Sequence, residues 1–165
     1  MNTGETDVIV GGGGMVGLTL ALALAQGGMK VSVADPMPAA ALTDAKFDGR
    51  VSTLAYASVR MYQALGVWPD LEADAQPIND ILVTDAKLDR EASPFSLHFD
   101  HREIGEPLGR IVENRHIRAA LYKAAGACAN IELISPAAMT ALSQDGAAIV
   151  ATLSNGESMR AKLAV

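Results

Sequence analysis

A glycine-rich segment near the start of the chain has the residue types and spacing to bind phosphate groups. Gly12, Gly14 and Gly17 fit the pattern G-x-G-x-x-G directly after the apolar run Asp7–Val10. The first glycine permits a tight turn, and the second lets the backbone approach a diphosphate without a side chain in the way. The third lets a helix pack closely on a strand. The segment therefore predicts binding of a dinucleotide.

The elements that must position these glycines form one β-α-β unit. Asp7–Val10 predicts a strand covered on both faces, because its apolar residues do not alternate with polar ones. Val16–Gln26 is apolar on every side and predicts a buried helix. The amides of Met15 and Val16 lie at its positive end, where they can bind phosphates. Lys30–Asp35 predicts a second strand, parallel to the first.

Asp35 ends the second predicted strand, about 20 residues beyond the glycines, where a carboxylate can accept hydrogen bonds from ribose hydroxyls. The same carboxylate disfavours a 2'-phosphate, so FAD or NAD is favoured over NADP at this site. A flexible glycine loop and a turn aspartate would explain these residues separately. Their order along the chain favours a nucleotide site. A phosphate loop of the nucleoside-triphosphatase type is excluded, because no Gly-Lys-Ser/Thr follows.

The rest of the chain predicts a departure from an ordinary doubly wound sheet. Residues 36–52 have the composition of a loop, where another crossover helix would be expected. Between Ile78 and Val112 apolar residues recur at period two, as at Phe95, Leu97 and Phe99, which indicates antiparallel strands. The other predicted elements are helices at 58–65 and 114–127, the second capped by Asn114, a strand at 131–134, and a hairpin of 147–153 and 158–165 across Asn155-Gly156. The predicted fold class is α/β, a Rossmann-like β-α-β unit with additional antiparallel strands.

Composition and spacing argue against several other classes of protein. The chain has 13 basic and 19 acidic residues and a formal net charge of -6, which disfavours nucleic acid as a partner. Cys128 is the only cysteine, which excludes an internal disulfide and fits a reducing cytoplasm. The apolar stretch 8–25 is interrupted by five glycines, which argues against a membrane span. His98 and His101 lack the spacing of a zinc site, so no metal is predicted.

Four segments of the chain resemble the flavin-dependent aromatic hydroxylases, in particular their ubiquinone-biosynthesis branch. They are the strand and glycine turn at 7–17, Asp48–Leu54, Leu65–Trp68 and Val112–Arg115. The resemblance implies that Arg50 lies along the diphosphate and ribityl region of FAD, and that Asn114 contacts the ribityl chain. Without the resemblance, Arg50 would be interpreted as a solvated loop residue and Asn114 as a plain helix cap. Arg115 is expected to point outward.

The resemblance also implies an activity. NAD(P)H would reduce the bound flavin, and the reduced flavin would use oxygen to hydroxylate a phenolic or quinone-precursor substrate. No catalytic side chain is assigned. The implied location is the cytoplasm; association with the inner membrane surface and with further copies of the chain stays open.

The resemblance predicts that residues 1–165 are one portion of an FAD-binding domain, with 78–112 as the start of a substrate-binding sheet. Phe95, Leu97 and Phe99 would face a lipid-tailed substrate or form an ordinary sheet core. The apolar ending Lys162–Val165 predicts a fragment, because the family continues there into Gly-Ala-Asp-Gly and later Gly-Asp-Ala. Two alternatives stay open, an NAD-dependent reductase and a non-catalytic dinucleotide-binding module.

Overall fold

The computed structural model describes residues 5–85 and 95–165, which form a mixed α/β structure. The helices are α1 (Met15–Gln26), α2 (Ala39–Leu42), α3 (Tyr56–Ala64) and α4 (Asn114–Ala127), with short 3₁₀ turns at Trp68–Asp70, Glu72–Asp74 and His101–Glu103. The strands are β1 (Glu5–Gly11), β2 (Val31–Ala34), β3 (Val51–Ala55), β4 (Gln76–Ile78), β5 (Asp80–Thr84), β6 (Ser96–Asp100), β7 (Gly109–Glu113), β8 (Ile131–Ile134), β9 (Met139–Asp145), β10 (Ala148–Leu153) and β11 (Ser158–Ala164). Among these residues, each helix is too short or too polar to cross a bilayer.

The main sheet has six strands in the order β8-β2-β1-β11-β10-β9. The strands β8, β2, β1 and β11 are mutually parallel, and β10 and β9 continue the sheet in antiparallel pairing. The chain's last residue extends this arrangement, because the Gly11 amide donates to the Val165 carbonyl oxygen at 2.7 Å. The end of β11 therefore lies beside the end of β1, next to the glycine turn.

The sheet is buried on both faces at β1 and β2, as their uninterrupted apolar runs predict. Val8 and Val10 of β1 point to the face that carries α1 and α4, whereas Ile9 points to the opposite face. Helix α1 buries Leu18, Ala21, Leu22 and Ala25 against the first face. This packing fixes the start of α1 at the carboxyl edge of the parallel strands, because the helix runs back to the amino end of β2.

The middle of the chain forms two small antiparallel sheets. One has the order β3-β7-β4, and the other pairs β5 with β6. The predicted antiparallel pairing between 78 and 112 is confirmed. Within the described residues, Leu97 of β6 is 65% exposed and Phe99 is 49% exposed.

Most predicted elements are confirmed, with three corrections. Residues 36–52 are not wholly a loop, because they contain the single-turn helix α2 and the first residues of β3. Asn114 does not cap α4: the helix begins at Asn114, and Glu113 occupies the cap position without a side-chain hydrogen bond to the helix. Strand β9 was not predicted, and it pairs with β10 at the edge of the main sheet.

Candidate dinucleotide-binding site

The glycine turn between β1 and α1 has a backbone conformation that depends on its glycines. Gly12 has φ +122° and donates its amide to the Ala34 carbonyl oxygen at 2.8 Å, which ties the turn to the end of β2. A Cβ atom on Gly17 would lie 1.9 Å from the carbonyl oxygen of Gly12. Only glycine therefore allows α1 to approach the turn this closely. The packing role predicted for Gly17 matches this geometry.

The start of α1 faces a cleft of about 390 Å³ lined by Gly12, Gly14, Met15, Val16, Gly17 and Val165, among others. Gly14 is the cap residue, and α1 has no side-chain cap within the described part of the chain. A Cβ atom on Gly14 would meet no described atom within 4 Å, and the Val16 side chain is 84% exposed. The first amides of a helix have no partner inside the helix, and Met15, Val16 and Gly17, at the start of α1, line this cleft. The arrangement fits a diphosphate.

Asp35 lies beside the glycine turn, as the predicted site requires. Its carboxylate accepts a hydrogen bond from the Gly13 amide at 2.6 Å and one from the Met37 amide at 2.7 Å. The residue is 8% exposed. Each carboxylate oxygen keeps a second lone pair, so two backbone donors leave capacity for ribose hydroxyls. Asp35 thus joins the glycine turn to the end of β2 and presents an acceptor near the cleft.

A second helix, α4, packs against α1 and leads into β8, so it also begins at the carboxyl edge of the parallel strands. Its first residue, Asn114, is buried, and its side-chain oxygen accepts a hydrogen bond from the Ser52 hydroxyl at 2.6 Å. The backbone amide of Asn114 donates to the Arg50 carbonyl oxygen at 3.1 Å. These contacts bring the predicted residues Asn114 and Arg50 together. The pairing with Ser52 could not be predicted, because it joins β3 to a helix 62 residues later.

The Arg50 side chain is exposed and rests on Asp48. Its Nε and Nη2 atoms lie 3.2 and 3.0 Å from Asp48 Oδ2, and the whole side chain is 70% exposed. Arg118, on α4, contacts the same oxygen through Nη1 and Nη2 at 3.3 Å each. Two guanidinium groups therefore share one carboxylate, which leaves a net positive charge at this position. Sequence reasoning missed Arg118, because a charged residue on an amphipathic helix is usually a solvated one.

We expect the Asp48 carboxyl to have a lower pKa than an ordinary aspartate. The Arg50 amide and the guanidinium groups of Arg50 and Arg118 hold the pKa of the Asp48 carboxyl below its usual value of 3.8. The resulting stabilisation is present above that value and is lost as the pH falls through the lower pKa of the folded state. Carbon-detected NMR titration of the Asp48 carboxyl checks this. Arg118→Met should move the pKa toward 3.8, and an unchanged pKa would contradict the pairing.

The loop that carries Arg50 is held on α4 by a further contact. The prediction that Arg115 points outward into solvent is wrong. Its Nη1 donates to the Ala45 carbonyl oxygen at 2.7 Å, and its guanidinium lies 5.7 Å from the centre of the Phe47 ring. Its Nε donates to Glu113 at 2.6 Å. The first turns of α4 thus carry two arginines that bind the loop 43–50. Neither contact requires a ligand.

The histidines contact carboxylates or backbone groups, and His116 contacts two carboxylates, those of Asp74 and Glu113. His98 Nε2 lies 2.9 Å from Asp80, and His116 Nδ1 lies 3.1 Å from Asp74. Among residues 5–85 and 95–165, no group of three or more His, Cys, Asp or Glu side chains is arranged to hold a metal ion.

The fold and this geometry define a dinucleotide-binding α/β protein in which a glycine turn, a helix start and a strand-end carboxylate meet at the carboxyl edge of a parallel sheet. The family model for the FAD binding domain matches residues 5–164. The chain belongs to this family, and FAD is its cofactor.

Curated relatives extend over nearly the whole chain. The ubiquinone hydroxylase UbiL of Rhodospirillum rubrum is 43% identical over 159 residues, which are 96% of this chain and 36% of that protein. The 3-demethoxyubiquinol 3-hydroxylase of Escherichia coli K12 is 34% identical over 168 residues, covering 100% of this chain and 41% of that protein. The chain thus spans well under half the length of these relatives. Resemblance to the ubiquinone-biosynthesis hydroxylases is confirmed.

Solved structures share the fold. The p-nitrophenol 4-monooxygenase PnpA from Pseudomonas putida DLL-E4 superposes with a TM-score of 0.77 at 20% identity, over 99% of this chain and 40% of that one. The flavin-dependent monooxygenase PieE, solved in complex with FAD and substrate, gives a TM-score of 0.72 at 18% identity, over 99% of this chain and 30% of that one. These likenesses confirm the predicted fold class.

Proposed function

We propose that this chain is the FAD-binding part of a monooxygenase that hydroxylates a phenolic ubiquinone precursor with NAD(P)H and oxygen. The similarity to two ubiquinone hydroxylases over nearly the whole chain carries the proposal. When bound, FAD supplies the redox chemistry. The chain's own residues bind the cofactor, orient it and limit the access of water.

The residues present fit the adenosine diphosphate half of FAD. The cleft at the start of α1 has room for a diphosphate where a Cβ on Gly14 would stand. In the proposed site, Asp35 accepts hydrogen bonds from the ribose, Arg50 lies along the diphosphate, and Asn114 contacts the ribityl chain. The diphosphate itself is bound by the backbone of the turn and helix start, at Gly12, Gly14, Met15, Val16 and Gly17.

The sheet of β5 and β6 is the proposed start of a substrate-binding surface. Ile81 pairs with Phe99, and Val83 pairs with Leu97, so these four side chains share one face. All four are more than 40% exposed. An exposed apolar face of this kind suits the lipid tail of a ubiquinone precursor. Such a substrate would bring a cytoplasmic protein to the surface of the inner membrane.

The topology does not favour the alternative of an ordinary NAD-dependent reductase. That fold would place a third parallel strand and its crossover helix soon after Asp35. In this chain the strand beside β2 is β8, which begins at Ile131, and the small antiparallel sheets lie between them in sequence. The connection after β2 thus follows the pattern expected of the flavin-dependent hydroxylases.

Visible absorption tests the proposed function. The purified chain, mixed with FAD and separated from free cofactor by gel filtration, should elute with the blue-absorbing band of a flavin. Gly14→Ala should keep its fold, with a cost below about 1 kcal/mol at the cap position, because its Cβ meets no described atom. The same variant should elute with much less flavin, since the Cβ occupies the cleft. A colourless wild-type chain would contradict the proposal.

A further inference from the structure

Asp48, Arg50 and Arg118 form a cluster of one carboxylate and two guanidinium groups. Asp48 Oδ2 lies within 3.3 Å of four nitrogen atoms, two from Arg50 and two from Arg118. A carboxylate oxygen has lone pairs for about two donors. One guanidinium can therefore leave Asp48 while the other still compensates its charge.

The two arginines differ in their freedom to leave. The Arg118 side chain is 18% exposed and projects from the regular helix α4, whereas the Arg50 side chain is 70% exposed and belongs to the loop before β3. The Arg50 backbone is fixed independently, because its amide donates to Asp48 Oδ1 at 3.1 Å and its carbonyl accepts from Asn114. Turning the Arg50 guanidinium away thus disturbs neither the loop nor the helix.

We propose that Arg118 is a positioning residue that holds the Asp48 carboxylate, so that the Arg50 guanidinium is released to face the diphosphate of FAD. The inference rests on the proposed function. Without Arg118, Asp48 would depend on Arg50 alone for compensation, and FAD would have to compete with that ion pair. Arg118 acts through Asp48 and does not itself contact the cofactor.

A double-mutant cycle on the FAD dissociation constant tests this role. Arg118→Met should weaken binding about three- to fivefold, the range of a partly exposed ion pair. In an Asp48→Asn background the same replacement should change the affinity by less than 1.5-fold, because no carboxylate remains to retain Arg50. The Asp48 carboxyl titration described above gives an independent spectroscopic readout of the Arg118 contact.

Lys123→Met is the matched control. It removes one positive charge from the same helix and breaks an ion pair of the same kind, since Lys123 Nζ lies 2.7 Å from Asp70. This variant should bind FAD as the wild type does. Urea unfolding of each variant separates lost affinity from lost folding.

Two results would overturn the inference. If Arg118→Met weakens binding equally with Asp48 and with Asn at that position, Arg118 contacts FAD directly or acts through the fold. If Lys123→Met weakens binding as much as Arg118→Met does, only the net charge of α4 matters. If the wild-type chain does not bind FAD at all, the proposed function fails together with this inference. In the two cases above the wild-type chain binds FAD, so only the inference about Arg118 fails.

Discussion

Gly17→Ala is expected to lower the free energy of unfolding by about 2 kcal/mol or more, within the range known for overpacked interiors. The added Cβ would lie 1.9 Å from the Gly12 carbonyl oxygen and 3.3 Å from Val10 Cγ1. Both neighbours belong to the strand and turn that carry the site, so α1 must move away from them. FAD affinity should fall as well, because the helix start would no longer face the cleft correctly.

Gly126→Ala is the control for this substitution. Gly126 lies near the end of α4, and a Cβ there would meet no described atom within 4 Å. The replacement should stabilise the protein by about 0.5–1 kcal/mol, the usual advantage of alanine over glycine inside a helix. Urea unfolding of the two variants should therefore give shifts of opposite sign. Equal stability of Gly17→Ala and the wild type would contradict the close approach at the turn.

Asp35→Asn is expected to weaken FAD binding about tenfold or more, the usual loss for a hydrogen bond to a charged group. The amide nitrogen of Asn cannot accept a hydrogen bond, so one of the bonds to Gly13, Met37 or the ribose is lost. Asp35→Ala should cost about 1–3 kcal/mol of stability in addition, because it leaves backbone amides at this poorly exposed position without an acceptor. Titration calorimetry with FAD and with ADP measures the loss of affinity, and urea unfolding measures the loss of stability.

Asp44→Asn serves as the control for the aspartate. Asp44 also accepts a hydrogen bond from the amide two residues later, that of Lys46 at 2.9 Å, but it lies on an exposed loop. Its replacement should leave FAD affinity within about twofold of the wild type, as for most surface substitutions. If Asp35→Asn binds FAD with wild-type affinity, Asp35 is not part of the site.

The parts of the fold that could be predicted from the sequence have strong local patterns. The strand, turn and helix of residues 5–26 combine a continuous apolar run with glycines at fixed spacing, so only one arrangement suits them. The hairpin of β10 and β11 could be predicted because Asn155-Gly156 favours a tight turn between apolar strands. The pairing of β11 with β1 could not be predicted, since it joins segments about 150 residues apart and leaves no local pattern.

Elements with weak patterns were missed for a physical reason. Strand β9 is an edge strand whose residues are largely exposed, so it needs no apolar alternation. In β3 only Leu54 is buried, which leaves too little periodicity to mark a strand. The side-chain partners at the site were missed in the same way. Spacing predicted Asp35 near the glycines, but the Asp48–Arg118 pair depends on how a loop packs on α4.

The central claim is that the amides at the start of α1 bind the diphosphate of FAD while Asp35 binds the adjacent ribose. Backbone amide NMR measures this directly, with the chain titrated separately with FAD and with ADP. The account predicts that the amide resonances of residues 12–17 shift with both ligands, because both contain the same diphosphate and ribose. Saturation of the chain with FAD while these resonances stay unchanged would contradict it.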